Sequence, residues 1–344
     1  MKSVVIDKKI IGDGHPCYFV AEIGTSFRNF DEAKLLINSA IEIGIDAVKI
    51  QTFEAETVTT KSNLFDMDTT GKISQYELLK KIEIPKELQL QVIQYAKDAG
   101  ITIFSAPSHQ NDLELLQKME LPAYKIGSDL ACHIPVLKQL AKFSKPIILS
   151  TGMCTMNEIK DSVNAIFEEG NQQLILLHCI SDYPTKPEEC NLLAINSMKT
   201  AFNIPVGYSD HTIGITACFS ASLLGANMIE KHFYDSRNSS GPDDIHSITK
   251  EQFKELIESA RYSKKILGNG EKKPSKSEEK NRLTNRVSIL TIQEISKGEE
   301  ISVDNINIKR PGTGLAPKHF DDILGKKAKT NLVKEQPLTW NDLE

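Results

Sequence analysis

Residues 205–233 read PVGYSDHTIGITACFSASLLGANMIEKHF. Two short apolar runs, Pro205–His211 and Met228–Phe233, flank a stretch long enough for a helix, and both end in charged and hydrogen-bonding groups. Runs that are apolar almost throughout suit strands buried on both faces, as in parallel sheets. Asp210, His211, Glu230, Lys231 and His232 are too many polar groups for strand ends that only pack. If the two strands are neighbours in a barrel, the histidines converge at one rim. His211 and His232 then become candidate ligands for a divalent cation, with an anionic substrate beside it.

The same unit recurs upstream. Cys17–Gly24 (CYFVAEIG), Ala47–Phe53 (AVKIQTF), Ile101–Pro107 (ITIFSAP), Ala123–Asp129 (AYKIGSD), Pro146–Gly152 (PIILSTG) and Leu174–Ile180 (LILLHCI) all read as strands. Helix signals lie between them. Asp31 offers a cap for a stripe of Leu36, Ala40 and Ile43 that Gly44 can stop, and Leu88, Val92 and Ala96 form a second stripe ended by Gly100. Thr155 with Glu158, and Thr249 with Gln252, have capping-box spacing. Eight strands alternating with helices predict an α/β fold, a (β/α)8 TIM barrel. The competitor is a doubly wound open sheet, but no Gly-x-Gly-x-x-Gly follows the first strand to support it.

Glu54–Glu83 is polar, Thr-rich and aperiodic, and reads as a long functional loop. The charge-dense stretch Glu271–Arg286 reads as a solvated linker. Beyond it, Val287–Ile292, Ile306–Lys309, Pro311–Gly314 and Leu338–Trp340 predict a small β-rich domain, with Trp340 in its core. The expected organisation is a barrel over 1–270, a linker over 271–286 and the small domain over 287–344.

With 40% apolar and 25% charged residues, the composition is ordinary for a soluble globular enzyme, and a net charge of -5 argues against nucleic acid or an anionic membrane as main partner. The six cysteines form no Cys-x-x-Cys pair and most lie in apolar stretches, which predicts buried thiols in a reducing compartment. Met1–Ile10 is charged at four positions and no apolar run approaches the ~18 residues of a membrane helix, so a soluble, cytoplasmic protein is expected.

In a parallel barrel the active site lies at the C-terminal strand ends. Glu22, Lys49, Gln51 and Ser105 end the early strands, and Lys125, Ser128, Ser150, Thr151, Ser181 and Tyr183 the middle ones. Ser209 joins the charged groups of the last two. Lys49 and Lys125 with the hydroxyls of Ser128, Ser150 and Ser209 make a clamp for a phosphate or carboxylate. The histidines suit an open, catalytic cation site, and with no thiolate pair nearby manganese or magnesium is expected rather than structural zinc. Cys179 reads as packing.

AEIG (21–24), VKIQTF (48–53), KIGS (125–128), LSTGM (149–153), YSDHT (208–212), EKHF (230–233), GPD (241–243) and KRPGTG (309–314) resemble, in order, the N-acetylneuraminate (sialic acid) synthase family, which includes legionaminic and pseudaminic acid synthases. The resemblance covers nearly the whole chain, including a C-terminal domain similar to type III antifreeze proteins, the SAF or β-clip domain. It implies a divalent-metal-dependent (Mn2+ or Mg2+) condensation of phosphoenolpyruvate with an open-chain N-acyl amino sugar, releasing phosphate. His211 and His232 would hold the metal. Lys49, Lys125, Ser128, Ser150, Ser181 and Ser209 would hold phosphoenolpyruvate, and Glu22, Lys49 and Asp243 would serve catalysis. Gln51, Tyr183 and Asp243 would contact the sugar, joined by Arg310 from the partner subunit of a domain-swapped homodimer.

The chain departs from the family at KIGSDL, where Leu130 stands for a glutamate that binds sugar hydroxyls and Asp129 precedes it; Ala106 and Ser181 replace a Thr and an Asn. The sugar therefore stays open among N-acetylmannosamine, its 6-phosphate and a diacetamido-trideoxyhexose. Two rival readings are a Schiff-base aldolase using Lys49 or Lys125 and a noncatalytic sugar-binding protein.

Overall fold

A computed structural model of the chain describes residues 2–24, 26–67, 71–235 and 243–344. Eight parallel strands make one sheet: Tyr18–Glu22, Ala47–Thr52, Thr102–Pro107, Tyr124–Ile126, Ile147–Ser150, Leu174–Cys179, Val206–Asp210 and Met228–His232. They are the eight strands expected. The eighth pairs with the first, Met228 opposite Tyr18 and His232 opposite Glu22, which curls the sheet into a barrel. Among the described residues, the third and fourth strands adjoin without a hydrogen-bonded ladder, so closure there rests on packing.

The two-residue period of a strand sorts side chains between interior and exterior. Tyr18, Val20, Ala47, Phe104, Ala123, Ile148, Ile175, Leu177 and Met228 share one buried cluster that fills the barrel. An N-terminal hairpin, Val4–Ile6 against Lys9–Ile11, adds Val4, Ile6 and Ile11 to that cluster and stoppers the N-terminal end. Residues of opposite parity, such as Phe19, Val48, Ile103, Leu149, Leu176 and Ile229, pack outward against the helices. Each such aliphatic side chain contributes about 1.5–3 kcal/mol by burial.

Helices start where side chains satisfy the first free N–H groups. Thr155 and Glu158 form the reciprocal capping box that begins Met156–Glu168, and Thr249 and Gln252 exchange the same bonds ahead of Lys250–Leu267. In Phe30–Glu42 the cap is Asn29, which accepts from Glu32 N at 3.0 Å; Asp31 lies inside the first turn.

The stretch expected as a loop over 54–83 carries regular elements. It holds a short helix, Ala55–Val58, an antiparallel hairpin, Leu64–Met67 with Gly71–Ser74, and a helix, Gln75–Ile82, capped by Ser74.

The chain divides into two compact units, Met1–Leu267 and Gly268–Glu344. The second contains an antiparallel pair, Ser288–Thr291 with Ile306–Lys309, over a core that includes Ile289, Ile295, Ile301, Leu332 and Leu338. The charged stretch ahead of it is exposed throughout but carries a helix, Glu279–Thr284, where a plain linker was expected. Trp340 is 46% exposed, with its ring edge-on to His319, so it is not the core residue foreseen. Of the thiols, Cys132 is exposed, Cys17 and Cys154 are half-buried and only three are buried. Among the described residues, no helix is long and apolar enough to cross a membrane.

Candidate active site

The inward parity that fills the barrel with apolar groups switches to polar ones at the C-terminal strand ends. Lys49, Gln51, Lys125, Ser150, Ser209, His211, Glu230 and His232 line a cavity of about 430 Å³, joined by Ser128, Ser181 and Tyr183 from the following loops. The second, fourth, fifth, seventh and eighth strands, or the residues just past their ends, thus supply one or two of these groups each.

At the deeper end two lysines and two carboxylates form one buried cluster. The Lys49 ammonium contacts the Glu22 carboxylate beneath it and lies 3.4 Å from Glu230 Oε1, which is 3.6 Å from Lys125 Nζ. Lys125 also donates to Ser150 Oγ at 2.7 Å and Ile126 O at 3.1 Å, and Ser209 Oγ donates to Glu230 Oε1 at 3.1 Å. Burial alone would raise the Glu230 pKa, but Lys125 and Lys49 outweigh it and hold the carboxyl below its ordinary range. Burial draws Lys49 below the usual lysine value, and Glu230 offsets only part of that. Glu22, completely buried, accepts from Gly24 N at 2.5 Å.

Beside the lysines is a ring of hydroxyl and amide groups. Ser128 Oγ accepts from Gly152 N at 2.9 Å. A Cβ on Gly152 would meet Ser181 Oγ at 2.3 Å and Ser128 Oγ at 2.8 Å, so only glycine leaves this cradle open. Two cations with several convergent donors are the chemistry of an oxyanion or phosphate site.

At the rim the histidines gather. The His211 and His232 rings are 5.4 Å apart between centroids. His211 Nδ1 is 2.8 Å from Ile180 O, which assigns the proton to Nδ1 and frees Nε2 as a lone-pair donor. Burial lowers the His211 pKa to about 4 and puts that of His232 well below the ordinary value, so both are neutral, the ligating form. His232 Nδ1 is buried with no hydrogen-bond partner among the described residues, and Asp243 Oδ2 is 3.4 Å from it. An orphaned imidazole nitrogen beside a carboxylate fits a divalent cation. Ligand atoms of His232, Asp243 and His246 all lie within 4.8 Å of one another. His246 was not singled out from sequence: it sits in a turn without periodicity, and its one signal was a histidine three residues after Asp243. Gly241 and Pro242 of the GPD motif lie outside the described residues.

The Tyr183 ring packs against that of His211, tilted by 44° at 4.2 Å between centroids, just before a cis bond to Pro184. Asp129 also lines the cavity, and burial raises its carboxyl pKa against the pull of Lys125. Asp210 and Lys231, counted with the site from sequence, point the other way. They form a buried ion pair at 2.7 Å that also engages Thr212 and Cys218, so they brace the loop bearing His211 from behind. Ser105 bonds Thr52, itself 2.7 Å from Gln89, and Thr151 donates to Leu177 O; both are structural. Arg310 stands exposed in the C-terminal unit at the end of Ile306–Lys309.

The chain resembles known proteins over its whole length. The sequence profile of the NeuB family matches residues 36–272, and that of the SAF domain matches 286–344. The chain is 40% identical over 344 residues to an uncharacterized protein of Methanocaldococcus jannaschii, covering 100% of this chain and 99% of the relative. It is 38% identical to the N,N'-diacetyllegionaminic acid synthase of Campylobacter jejuni, covering 92% and 97%. Among solved structures it is similar to the N-acetylneuraminic acid (sialic acid) synthetase of Leptospira borgpetersenii, with TM-score 0.72, 28% identity and coverage of 81% and 95%.

Proposed function

The chain belongs to the NeuB family, and we propose that it condenses phosphoenolpyruvate with an open-chain N-acyl amino sugar to give a nine-carbon 2-keto acid and phosphate. The observation that carries this reading is one cavity with two ends: a lysine and hydroxyl cradle for an anion, and a histidine–carboxylate cluster at the rim.

Lys49 and Lys125 neutralise the phosphate and carboxylate of phosphoenolpyruvate, and Ser128, Ser150, Ser181, Ser209 and Gly152 N complete their hydrogen bonds. Held there, carbon 3 of phosphoenolpyruvate forms a bond to the aldehyde carbon, whose oxygen takes a proton. Water adds at carbon 2, and the C–O bond to phosphate breaks, leaving the ketone. Glu22 and Asp243 handle protons at the two ends of the reacting pair. A divalent cation held by His211 and His232 would polarise the aldehyde carbonyl when bound. Manganese or magnesium is the expected ion.

Gln51, Tyr183 and Asp243 line the sugar side. Phe53, Val58, Leu78, Leu79 and Ile82 form an apolar wall there, from the excursion after the second strand. Such a wall suits the methyl groups of a diacetamido-trideoxyhexose better than the hydroxyls of N-acetylmannosamine. Among the described lining residues the only cations are Lys49 and Lys125, so a sugar 6-phosphate would find no further cation among them. Arg310 of a second copy, in a domain-swapped homodimer, would meet the sugar's N-acyl group. A cytoplasmic location fits a biosynthetic enzyme of this kind.

The Schiff-base rival draws support from the lowered Lys49 pKa, but contact with Glu22 and Glu230 favours the protonated amine. The test is phosphate release and product mass with phosphoenolpyruvate, Mn2+ and each candidate sugar. No release with any sugar, or a metal-independent borohydride-trapped lysine adduct, would overturn the reading.

A further inference from the structure

The cation end of the site holds one more imidazole than the sequence suggested. His246 is 1% exposed, and neither of its ring nitrogens has a hydrogen-bond partner among the described residues. A buried polar atom left unsatisfied costs about 1–3 kcal/mol, and native proteins carry few of them. Two on one ring need a reason. The ring is 4.7 Å from that of His232 and 5.9 Å from that of His211, between centroids, and its Nε2 is 3.7 Å from Asp243 Oδ1. That separation is too long for a hydrogen bond.

The backbone holds His246 at this place. Ser247 donates its N–H and its hydroxyl to Asp243 O, and His246 N also donates to Asp243 O, closing a turn that brings the ring back over the Asp243 carboxylate. Ile248 N then donates to His232 O at 2.9 Å, and Tyr234 N to Ile248 O at 3.2 Å. The segment carrying His246 is therefore stitched onto the strand end that carries His232.

We infer that His246 is a third imidazole ligand of the divalent cation, making with His211, His232 and Asp243 a three-nitrogen, one-carboxylate donor set. This rests on the proposal that His211 and His232 bind a cation. Ligands about 2.0–2.2 Å from a shared ion stand about 3–4 Å apart, so the cluster of His232, Asp243 and His246, whose ligand atoms lie within 4.8 Å of one another, closes around an ion by modest side-chain rotation. His211, its ring 5.4 Å from that of His232, would complete the set from the facing side. Three imidazoles also set the choice of ion. Magnesium takes oxygen ligands and keeps its waters, whereas nitrogen-rich sites select transition metals. The chain should therefore bind Mn2+ well in excess of Mg2+.

The test uses the full-length chain stripped of metal by chelation, with Mn2+ alone as the probe. Free Mn2+ is read by its electron paramagnetic resonance signal, and bound nitrogens are counted by 14N spin-echo modulation. The wild type should show three nitrogens. His246→Gln should show two and bind Mn2+ more weakly by about 10–100-fold or more, while His232→Ala binds little. Two nitrogens in the wild type, or unchanged affinity in a folded His246→Gln with binding lost in His232→Ala, would overturn the third ligand and leave the cation reading standing. A wild type that binds no Mn2+ overturns both. If His246→Gln does not fold by circular dichroism, the wild-type nitrogen count still decides.

Discussion

Replacing Lys125 with Met probes the anion cradle and the ion-pair cluster together. Lys125 is 2% exposed, and its ammonium reaches Ser150 Oγ at 2.7 Å, Ile126 O at 3.1 Å and Glu230 Oε1 at 3.6 Å. Methionine keeps most of the aliphatic stem, so packing is largely conserved and the measured difference is electrostatic. Removing one partner of a buried pair costs about 3–5 kcal/mol. The low end applies, because Glu230 retains Lys49 at 3.4 Å and Ser209 at 3.1 Å. A lost charge-assisted hydrogen bond to phosphoenolpyruvate is worth about 1.5–3 kcal/mol, or about a 10–150-fold rise in KM for that substrate. Phosphate release at saturating sugar gives the KM, and urea unfolding gives the stability. Acidity supplies an internal check. Glu230 is held below its ordinary pKa, so its stabilising contribution is present above the unfolded value of ~4.3 and is lost as pH falls through the lower folded value. The stability gap between wild type and Lys125→Met should therefore narrow on acidification below that range. A folded variant with an unchanged KM for phosphoenolpyruvate would refute the cradle, and a gap independent of pH would refute the ion-pair account.

Gly152→Ala should raise the KM for phosphoenolpyruvate at least about tenfold with little change in global stability, since the added methyl collides with Ser181 and Ser128 hydroxyls; an unchanged KM would place the anion elsewhere. Lys231→Met strands Asp210 in the core, and urea unfolding should register a loss of about 3–5 kcal/mol; a wild-type midpoint would show that the pair is not bracing the fold. Arg310→Ala should raise the KM for the sugar while leaving that for phosphoenolpyruvate in place, and equal effects on both would argue against its reaching the N-acyl group.

The eight barrel strands were legible because a strand buried on both faces must be apolar almost throughout, and turn or cap residues bracket each run. Residue roles at the strand ends were legible less evenly. Lys49, Lys125, Ser209, Glu230 and His232 share the inward parity, while Asp210 and Lys231 have the outward one and answer each other instead. Period two alone separates the two sets, provided one interior residue is known. The hairpin within 64–74 escaped notice because a ribbon with little buried surface shows no apolar alternation. His246 escaped for a related reason: its position is set by a turn and by backbone bonds to the eighth strand, neither of which leaves a periodic trace. Trp340 was misjudged because a bulky aromatic residue near a chain end can cap an edge as well as fill a core.

The same parity that sorts these residues also spaces the two ends of the site. Ser209 lies in the seventh strand and His211, two residues on, just past its end, while Glu230 and His232 are successive inward residues of the eighth. Two residues of strand span about 6.6 Å, so the level of the lysine cluster and the level of the imidazoles are separated by one inward step. An anion seated on Lys49 and Lys125, as proposed, would lie one inward step from the imidazoles, with Glu230 within 3.4 Å and 3.6 Å of the two ammonium groups. Had the polar groups followed consecutive positions instead, half would face the helices, as Asp210 and Lys231 do. The reaction geometry proposed for this chain is thus a consequence of strand pleat as much as of residue choice, and an insertion or deletion of one residue between Ser209 and His211 would dismantle it while sparing the barrel core.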